Sequence, residues 1–283
     1  MKKGRLTTIL LIVILFAGLC LLLYPTFSDW WNSLHQSRAI ATYSEQVSEL
    51  DDNKYEELWA EARAYNHSLT LRENAFTLTE EQAARYNDLL NVGGSGVMGY
   101  VEVPSIGISY PIYHGTDEAV LQIAIGHIEW TSLPTGGEST HCVISGHTGL
   151  PSAKLFTNLN KLLEGDLFLI RTLDETLTYE VDQVLIVLPH EASALQIEEG
   201  KDYCTLVTCT PYGVNSHRLL VRGHRIENVE ESKVVRVTAN AIMIDALLVA
   251  PVLAAPVLLL LLLVLLLPRR AHRRRGVRPF DEP

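Results

Sequence analysis

The chain has 283 residues, 47% of them hydrophobic and 20% charged, with a formal net charge of −10. That length allows one sizeable core plus additional segments, and the acidic balance excludes nucleic acid as a partner because phosphate would be repelled. Among the four cysteines and ten histidines there is no CxxC or HExxH spacing, so neither a metal nor a cofactor is expected.

Residues 1–5 form a short basic tail with Lys2, Lys3 and Arg5, and Leu6 to Tyr24 then gives nineteen uncharged residues. A second such run, Ala246 to Leu267, holds twenty-two and is followed by Arg269, Arg270, Arg273, Arg274, Arg275 and Arg278 in a basic tail, 268–283. Each is long enough for a hydrocarbon core of about 30 Å. Positive charge flanks both on their outer sequence ends, so both termini are expected in the cytoplasm, with everything between them outside the cell membrane. Pro251 and Pro256 are compatible with a membrane helix. The first span could also be read as a signal peptide, but its apolar run is long and no small-x-small site precedes Trp30; the reading is a retained anchor or uncleaved signal, 6–24. Between Pro25 and Asn240 the chain carries 30 acidic residues against 14 basic ones.

Residues 25–96 read as a helical stalk and lid-like region. From Ser28 to Ala64, Leu34, Ile40, Tyr43, Val47 and Leu50 recur at helical spacing, as do Tyr55, Leu58, Ala62 and Tyr65, with a break predicted near Asp51-Asp52-Asn53. Thr79 and Gln82 have the spacing of a capping box. Asn91 to Gly96, with three glycines, reads as a flexible joint. Residues 97–228 alternate short apolar runs with turn residues: Tyr100–Val103, Ile106–Tyr113, Cys142–Ser145, Leu167–Arg171, Leu177–Leu188, Tyr203–Thr208 and His217–Val221. This predicts a mainly β domain, barrel or sandwich, with short helices at Glu118–Ile128 and Ser152–Leu163. Residues 229–245 read as a linker to the second span.

The chemistry concentrates where strands end. Thr205-Leu206-Val207-Thr208-Cys209 is an apolar, β-branched strand closing on a thiol, and Thr210-Pro211-Tyr212-Gly213 must turn. A strand cysteine is more often a small hydrophobe than a nucleophile. Three features shift that balance: the turn, the guanidinium groups of Arg218 and Arg222 on the next strand, and an upstream base. An arginine nearby favours thiolate and can hold an oxyanion. The candidate base is His147, in Val143-Ile144-Ser145-Gly146-His147-Thr148-Gly149-Leu150-Pro151, whose context repeats that of Cys209. His114, His127, His141, His190, His217 and His224 compete with it. If the two strands lie side by side and point the same way, imidazole and thiol meet at one rim; periodicity alone does not show that pairing. Cys142 lies five residues before His147 and Cys204 five before Cys209; if those strands pair, these two thiols become neighbours, as a disulfide or as buried free thiols.

These residues resemble the sortase family. The resemblance is carried by Thr205 to Cys209, Tyr212 to Arg218 and Gly146 to Pro151, with Met98 to Pro104 and Pro111 to Gly115 upstream, and it is closest to class C, the pilus-type sortases. It runs from about Met98 to about Glu227. It implies an eight-stranded sortase-type β-barrel with short helices, joined to the helical stalk/lid region and the two transmembrane helices. It places the family's catalytic cysteine on Cys209, its histidine on His147 and its arginine on Arg218, since that arginine directly follows the His in this stretch; Arg222 is the rival. The implied activity is cysteine transpeptidation. An LPxTG-like sorting signal is cleaved through a thioester on Cys209, and the acyl group passes to an amine, most readily a pilin lysine. The implied partners are LPxTG-type surface proteins or pilin subunits. A cell-wall-anchoring enzyme using a peptidoglycan amine is the alternative, and a non-catalytic membrane scaffold a remoter one. The class C lid carries an Asp-Pro-aromatic motif, where this chain has Arg72-Glu73-Asn74-Ala75-Phe76-Thr77. Here Phe76 is the candidate plug of the thiol pocket and Glu73 the candidate partner of Arg218; a plain linker is the simpler reading.

Overall fold

The computed structural model describes residues 2–71 and 76–228. Glu73, the expected linker 229–245, the second expected span and the basic tail lie outside them. The described residues divide into two compact units, one ending at Thr26 and the other beginning at Phe27.

Helix α1 spans Lys2–Ser48. In its first unit Leu6, Ile9, Val13, Ile14 and Phe16 are all exposed, and by length and composition the helix is apolar enough to cross a membrane. From Phe27 onward α1 is docked onto the β domain. Tyr43 is buried; its hydroxyl accepts from the Leu173 amide (2.7 Å) and donates to the Met98 carbonyl (3.1 Å).

Helix α2 (Asp52–Thr70) begins where Asp51-Asp52-Asn53 predicts a break, because the Asp51 carboxylate caps it by accepting from the Lys54 amide at 2.7 Å. The expected stripe of Leu58, Ala62 and Tyr65 is buried, with Trp59 beside it, and Asn66 and Leu69 continue it to the end of the helix. Asn66 fixes its far end: Nδ2 donates to Leu133 O and Thr135 Oγ1, and Oδ1 accepts from the Leu133 amide at 2.7 Å. Helix α3 (Glu80–Asp88) opens on the capping box formed by Thr79 and Gln82.

Eight strands follow: β1 (Val97–Val103), β2 (Ile108–His114), β3 (Ile125–His127), β4 (Thr140–Ser145), β5 (Leu167–Thr172), β6 (Glu175–Val187), β7 (Asp202–Thr210) and β8 (His217–Ile226). They close into the expected barrel in the order β1-β2-β3-β4-β7-β8-β6-β5. Neighbours are antiparallel except for β2–β3 and β4–β7. Three local expectations change. The strand expected from Ile106 starts at Ile108, because Pro104–Ile106 forms a 3-10 turn on the fixed φ of its proline. The helix expected at Glu118–Ile128 is a single turn, α4 (Glu118–Leu121). The chain then extends as β3, pairing Ile125 with Ile112 and sinking it fully into the core. The helix expected at Ser152–Leu163 is a 3-10 segment, Leu155–Lys161, kinked at Phe156, and it buries Leu155, Phe156 and Leu159.

Alternation along β4, β7 and β8 sorts side chains between two faces. Cys142, Ile144, Cys204, Leu206, Leu219 and Val221 point into the barrel core, together with the buried stripe of α2. Val143, Val207 and Leu220 point outward into a second apolar cluster with Leu195, flanked by Ile128, Trp130, Leu185 and Val187. Each fully buried aliphatic side chain contributes about 1.5–3 kcal/mol. Cys142 and Cys204 are register partners across β4 and β7 and stand as free, buried thiols. Burial and the neighbouring Cys142 drive the Cys204 thiol well up, whereas hydrogen bonds from Cys204 and His127 draw Cys142 down against burial.

Replacing Asn66 with Ala strands the buried amide of Leu133, at a cost of about 1–3 kcal/mol, while the Leu133 carbonyl keeps the Thr135 amide at 2.7 Å. Chemical denaturation should therefore show a loss of roughly 1–3 kcal/mol. His114 sits between two carbonyls, Gly96 O at 2.9 Å and Leu89 O at 2.7 Å. Burial holds its pKa, and that of His141, below the ordinary value despite such hydrogen bonds. The unfolded chain therefore binds more protons below about pH 6.5. Stability that is complete above that pH should fall as pH drops through the folded values, read as a declining melting temperature, and His114→Gln should flatten the decline.

Candidate active site

β4 and β7 run in the same direction with Thr140 opposite Asp202 and Ser145 opposite Val207. The ladder continues one step past Ser145: the Gly146 amide donates to Val207 O at 3.0 Å, and Thr208 Oγ1 donates to Gly146 O at 2.7 Å. The next residue on each strand is His147 and Cys209. On the other side of β7 the antiparallel register sets Cys209 directly opposite Arg218 on β8. Period-two alternation gives Cys209 the outward face of Val207, and Arg218 that of Leu220. All three residues are half-buried at the rim. The structure thus gathers Cys209, His147 and Arg218 at one end of adjacent strands.

Local chemistry explains why the chain turns there. A side chain at Gly146 would drive its Cβ to 2.7 Å from Ile125 Cγ2 and 2.8 Å from Phe156 Cδ2, so only glycine lets the strand leave the core just before His147. Gly149 has φ +74°, and the Tyr212 ring lies against it, 3.0 Å from where a Cβ would stand. The turn after β4 therefore touches the turn after β7. The first is also tied to the following 3-10 segment, by the Phe156 amide to His147 O (3.0 Å) and the Gly149 amide to Thr157 Oγ1 (3.0 Å). The second, Pro211 to Ser216, is exposed and closes through the Val214 and Asn215 amides on Pro211 O.

The two arginines differ in what they hold. Arg222 forks onto Asp182, with Nε to Oδ1 at 3.0 Å and Nη2 to Oδ2 at 2.9 Å. It also reaches Glu198 at 3.4 Å and lies 4.1 Å over the Tyr203 ring. Its charge is committed to structure. Arg218 donates only to the backbone carbonyls of Asn215 (3.4 Å) and His217 (3.2 Å), and among the described residues it has no carboxylate partner. Its positive charge is available at the rim.

The apolar outer cluster of Val143, Val207, Leu220 and Leu195 runs away from this rim. At its far end Trp130 carries Phe76, edge-on at 5.1 Å and 80°, and Phe76 is 40% exposed. Both aromatics line a cavity of about 760 Å³ with His141, Leu195 and α2 residues such as Arg63 and Asn66. Phe76 is thus seated on Trp130, and Glu73 lies outside the described residues. The outer cluster and the contact of Tyr212 with Gly149 were not anticipated. The period-two spacing of Val143, Ser145 and His147, matched by Thr205, Val207 and Cys209, was the signal available for the former.

A family model described as "Sortase domain" matches residues 101–226. Among solved structures, sortase C1 of Streptococcus agalactiae is 49% identical, with a TM-score of 0.66, over 68% of this chain and 100% of that one. Sortase C of Streptococcus pneumoniae, whose structure is described as bearing on pilin substrate specificity, is 43% identical with a TM-score of 0.61, over 68% and 97%. Sortase C of Clostridium perfringens, solved with the C-terminal cell wall sorting motif, is 42% identical with a TM-score of 0.61, over 68% and 100%. The chain spans about three fifths of the length of the first curated relatives it matches, 63% and 57%.

A membrane-impermeant charged thiosulfonate should modify Cys209 in the native protein and leave Cys142 and Cys204 untouched until denaturant is added, because both are buried. Peptide mass mapping reads the outcome; modification of either core thiol under native conditions would contradict the packing described.

Proposed function

This chain belongs to the sortase family, class C, and from that premise we propose that it is a cysteine transpeptidase whose reaction is carried by Cys209, His147 and Arg218. The carrying observation is the shared rim: a parallel ladder that ends at His147 on one strand and Cys209 on the other, with Arg218 in register opposite the sulfur.

The chemistry follows from these positions. The Cys209 thiolate attacks the carbonyl between Thr and Gly of an LPxTG-like sorting signal, and the electron pair moves onto the carbonyl oxygen. Arg218, with no carboxylate partner among the described residues, holds that oxyanion. The C–N bond breaks as His147 gives its proton to the departing amine, leaving a thioester. An incoming amine then attacks the thioester and yields its proton to His147, and the thiolate leaves. The structure of the Clostridium perfringens relative with the C-terminal cell wall sorting motif supports the substrate class, and the Streptococcus pneumoniae relative, described as bearing on pilin substrate specificity, supports pilins as partners; a pilin lysine is the proposed acceptor. Phe76 is the proposed lid aromatic, which would have to leave its seat on Trp130 to reach Cys209, and Glu73 is the proposed lid partner of Arg218. The apolar start of α1 serves as the membrane anchor, with the barrel outside the membrane and both termini on the cytoplasmic side.

The test uses the full chain and a sorting-signal peptide, with intact-protein mass as readout. The wild type should gain the acyl mass and lose it on adding a lysine-bearing pilin. Cys209→Ala should gain none. Arg218→Lys should lose at least about a hundredfold in rate, since a point ammonium does not reproduce the planar fork. Acylation that survives Cys209→Ala would overturn the mechanism.

A further inference from the structure

The turn that carries His147 is held from two sides, and one of them is not the barrel. At its start Gly146 is locked to β7. At its other end the backbone is gripped by α1. Asn32 Nδ2 donates to Ser152 O at 2.8 Å, and Asp29 Oδ1 accepts from the Lys154 amide at 2.9 Å. Asp29 Oδ2 also lies 3.7 Å from Lys154 Nζ. These contacts join residues 120 and 125 positions apart in the sequence.

Asp29, Asn32, Gln36 and Tyr43 follow one another at spacings of three, four and seven, so they share one face of α1. Each makes a directional hydrogen bond with backbone of the β domain: Asp29 accepts and Asn32 donates as above, Gln36 donates to Ile123 O at 2.7 Å, and Tyr43 donates to Met98 O and accepts from the Leu173 amide. Only the first two reach the stretch between His147 and the 3-10 segment. Apolar packing would tolerate sliding of that stretch; two hydrogen bonds to backbone groups two residues apart do not. The segment is short, exposed in part and built around Gly149. Its near half is tied to the 3-10 segment at His147 O and the Gly149 amide. Its far half, Ser152 to Lys154, is held by α1, so losing the α1 clips loosens the segment from that end.

We infer that Asp29 and Asn32 are positioning residues for the proposed reaction: α1 acts as a splint that fixes the His147 turn against the sulfur on β7. The inference rests on the assignment of His147 given above. It makes the helix that follows the apolar segment a part of the active-site scaffold, and proton transfer is the step that feels its loss, because misplacement of a general acid by about 1 Å can cost on the order of a hundredfold in rate.

The experiment compares full-length wild type, Asp29→Ala/Asn32→Ala, Asp29→Asn and Gln36→Ala in detergent. It measures kcat and KM for acylation by a sorting-signal peptide and hydrogen exchange of the Thr148–Lys154 amides. The double variant should lose roughly ten- to a hundredfold in kcat, keep KM within about twofold, and exchange faster at Thr148–Lys154. Asp29→Asn keeps an oxygen for the Lys154 amide and should stay near wild type in both measurements. Gln36→Ala removes a clip on the same helix face away from the turn, so kcat and Thr148–Lys154 exchange should hold. If the double variant does not fold, Asn32→Ala alone is read by the same two measurements. Faster exchange with unchanged kcat, or a kcat loss matched by Gln36→Ala, overturns the splint. Loss of the His147 assignment would show separately, as wild-type kcat in His147→Ala, while the exchange result would be unaffected.

Discussion

Two strands that run in the same direction finish at the same edge of a sheet, and the parallel ladder between β4 and β7 uses that geometry to bring distant residues together. Its hydrogen bonds set Ser145 level with Val207 and Gly146 level with Thr208. A slip of one residue would turn every side chain of β7 to the opposite face. Cys209 would then point into the barrel and Cys204 out of it. The register is held because Cys142, Ile144, Cys204 and Leu206 must stay in the core, so the packing of the interior fixes the geometry of the exterior.

The same alternation gives the barrel wall two uses. Its inner face is core, and its outer face is a row of apolar side chains ending at a thiol. Along β8 this separates two arginines four residues apart. Both point outward, yet Arg222 is forked to Asp182 and stacked on Tyr203, whereas Arg218 meets only backbone carbonyls. The difference lies in the partners that β6 and the loop after it present, with Asp182 and Glu198 at one level and no carboxylate among the described residues at the other. A guanidinium already saturated by a carboxylate has little left for a developing oxyanion; Arg218 retains that capacity.

The helices that precede the barrel belong to its structure. The buried stripe of α2 joins the barrel core, and Asn66 both donates to and accepts from the Leu133 backbone in the loop after β3. α1 binds barrel backbone through Tyr43, Gln36, Asn32 and Asp29. Polar clips of this kind specify one docking position, because each hydrogen bond fails when the helix rotates or slides.

Much of this was legible in the residues. The strand ending in Cys209, the repeated context at His147, the helix break at Asp51 and the capping box at Thr79 all rest on local chemistry, and short-range periodicity reports local chemistry faithfully. β3 was not legible: three residues are too few for a period, and Ile125 extends only because Ile112 lies beside it. Nor could spacing show which way β4 and β7 run, which arginine has no carboxylate partner, or that Asn32 reaches Ser152. The sequence by itself determined the kinds of reactive group and the elements that carry them, since propensity, capping and turn formation act over a few residues. Tertiary structure alone decided their convergence, because strand direction, register and ion-pair partners are set by contacts between residues far apart in the chain.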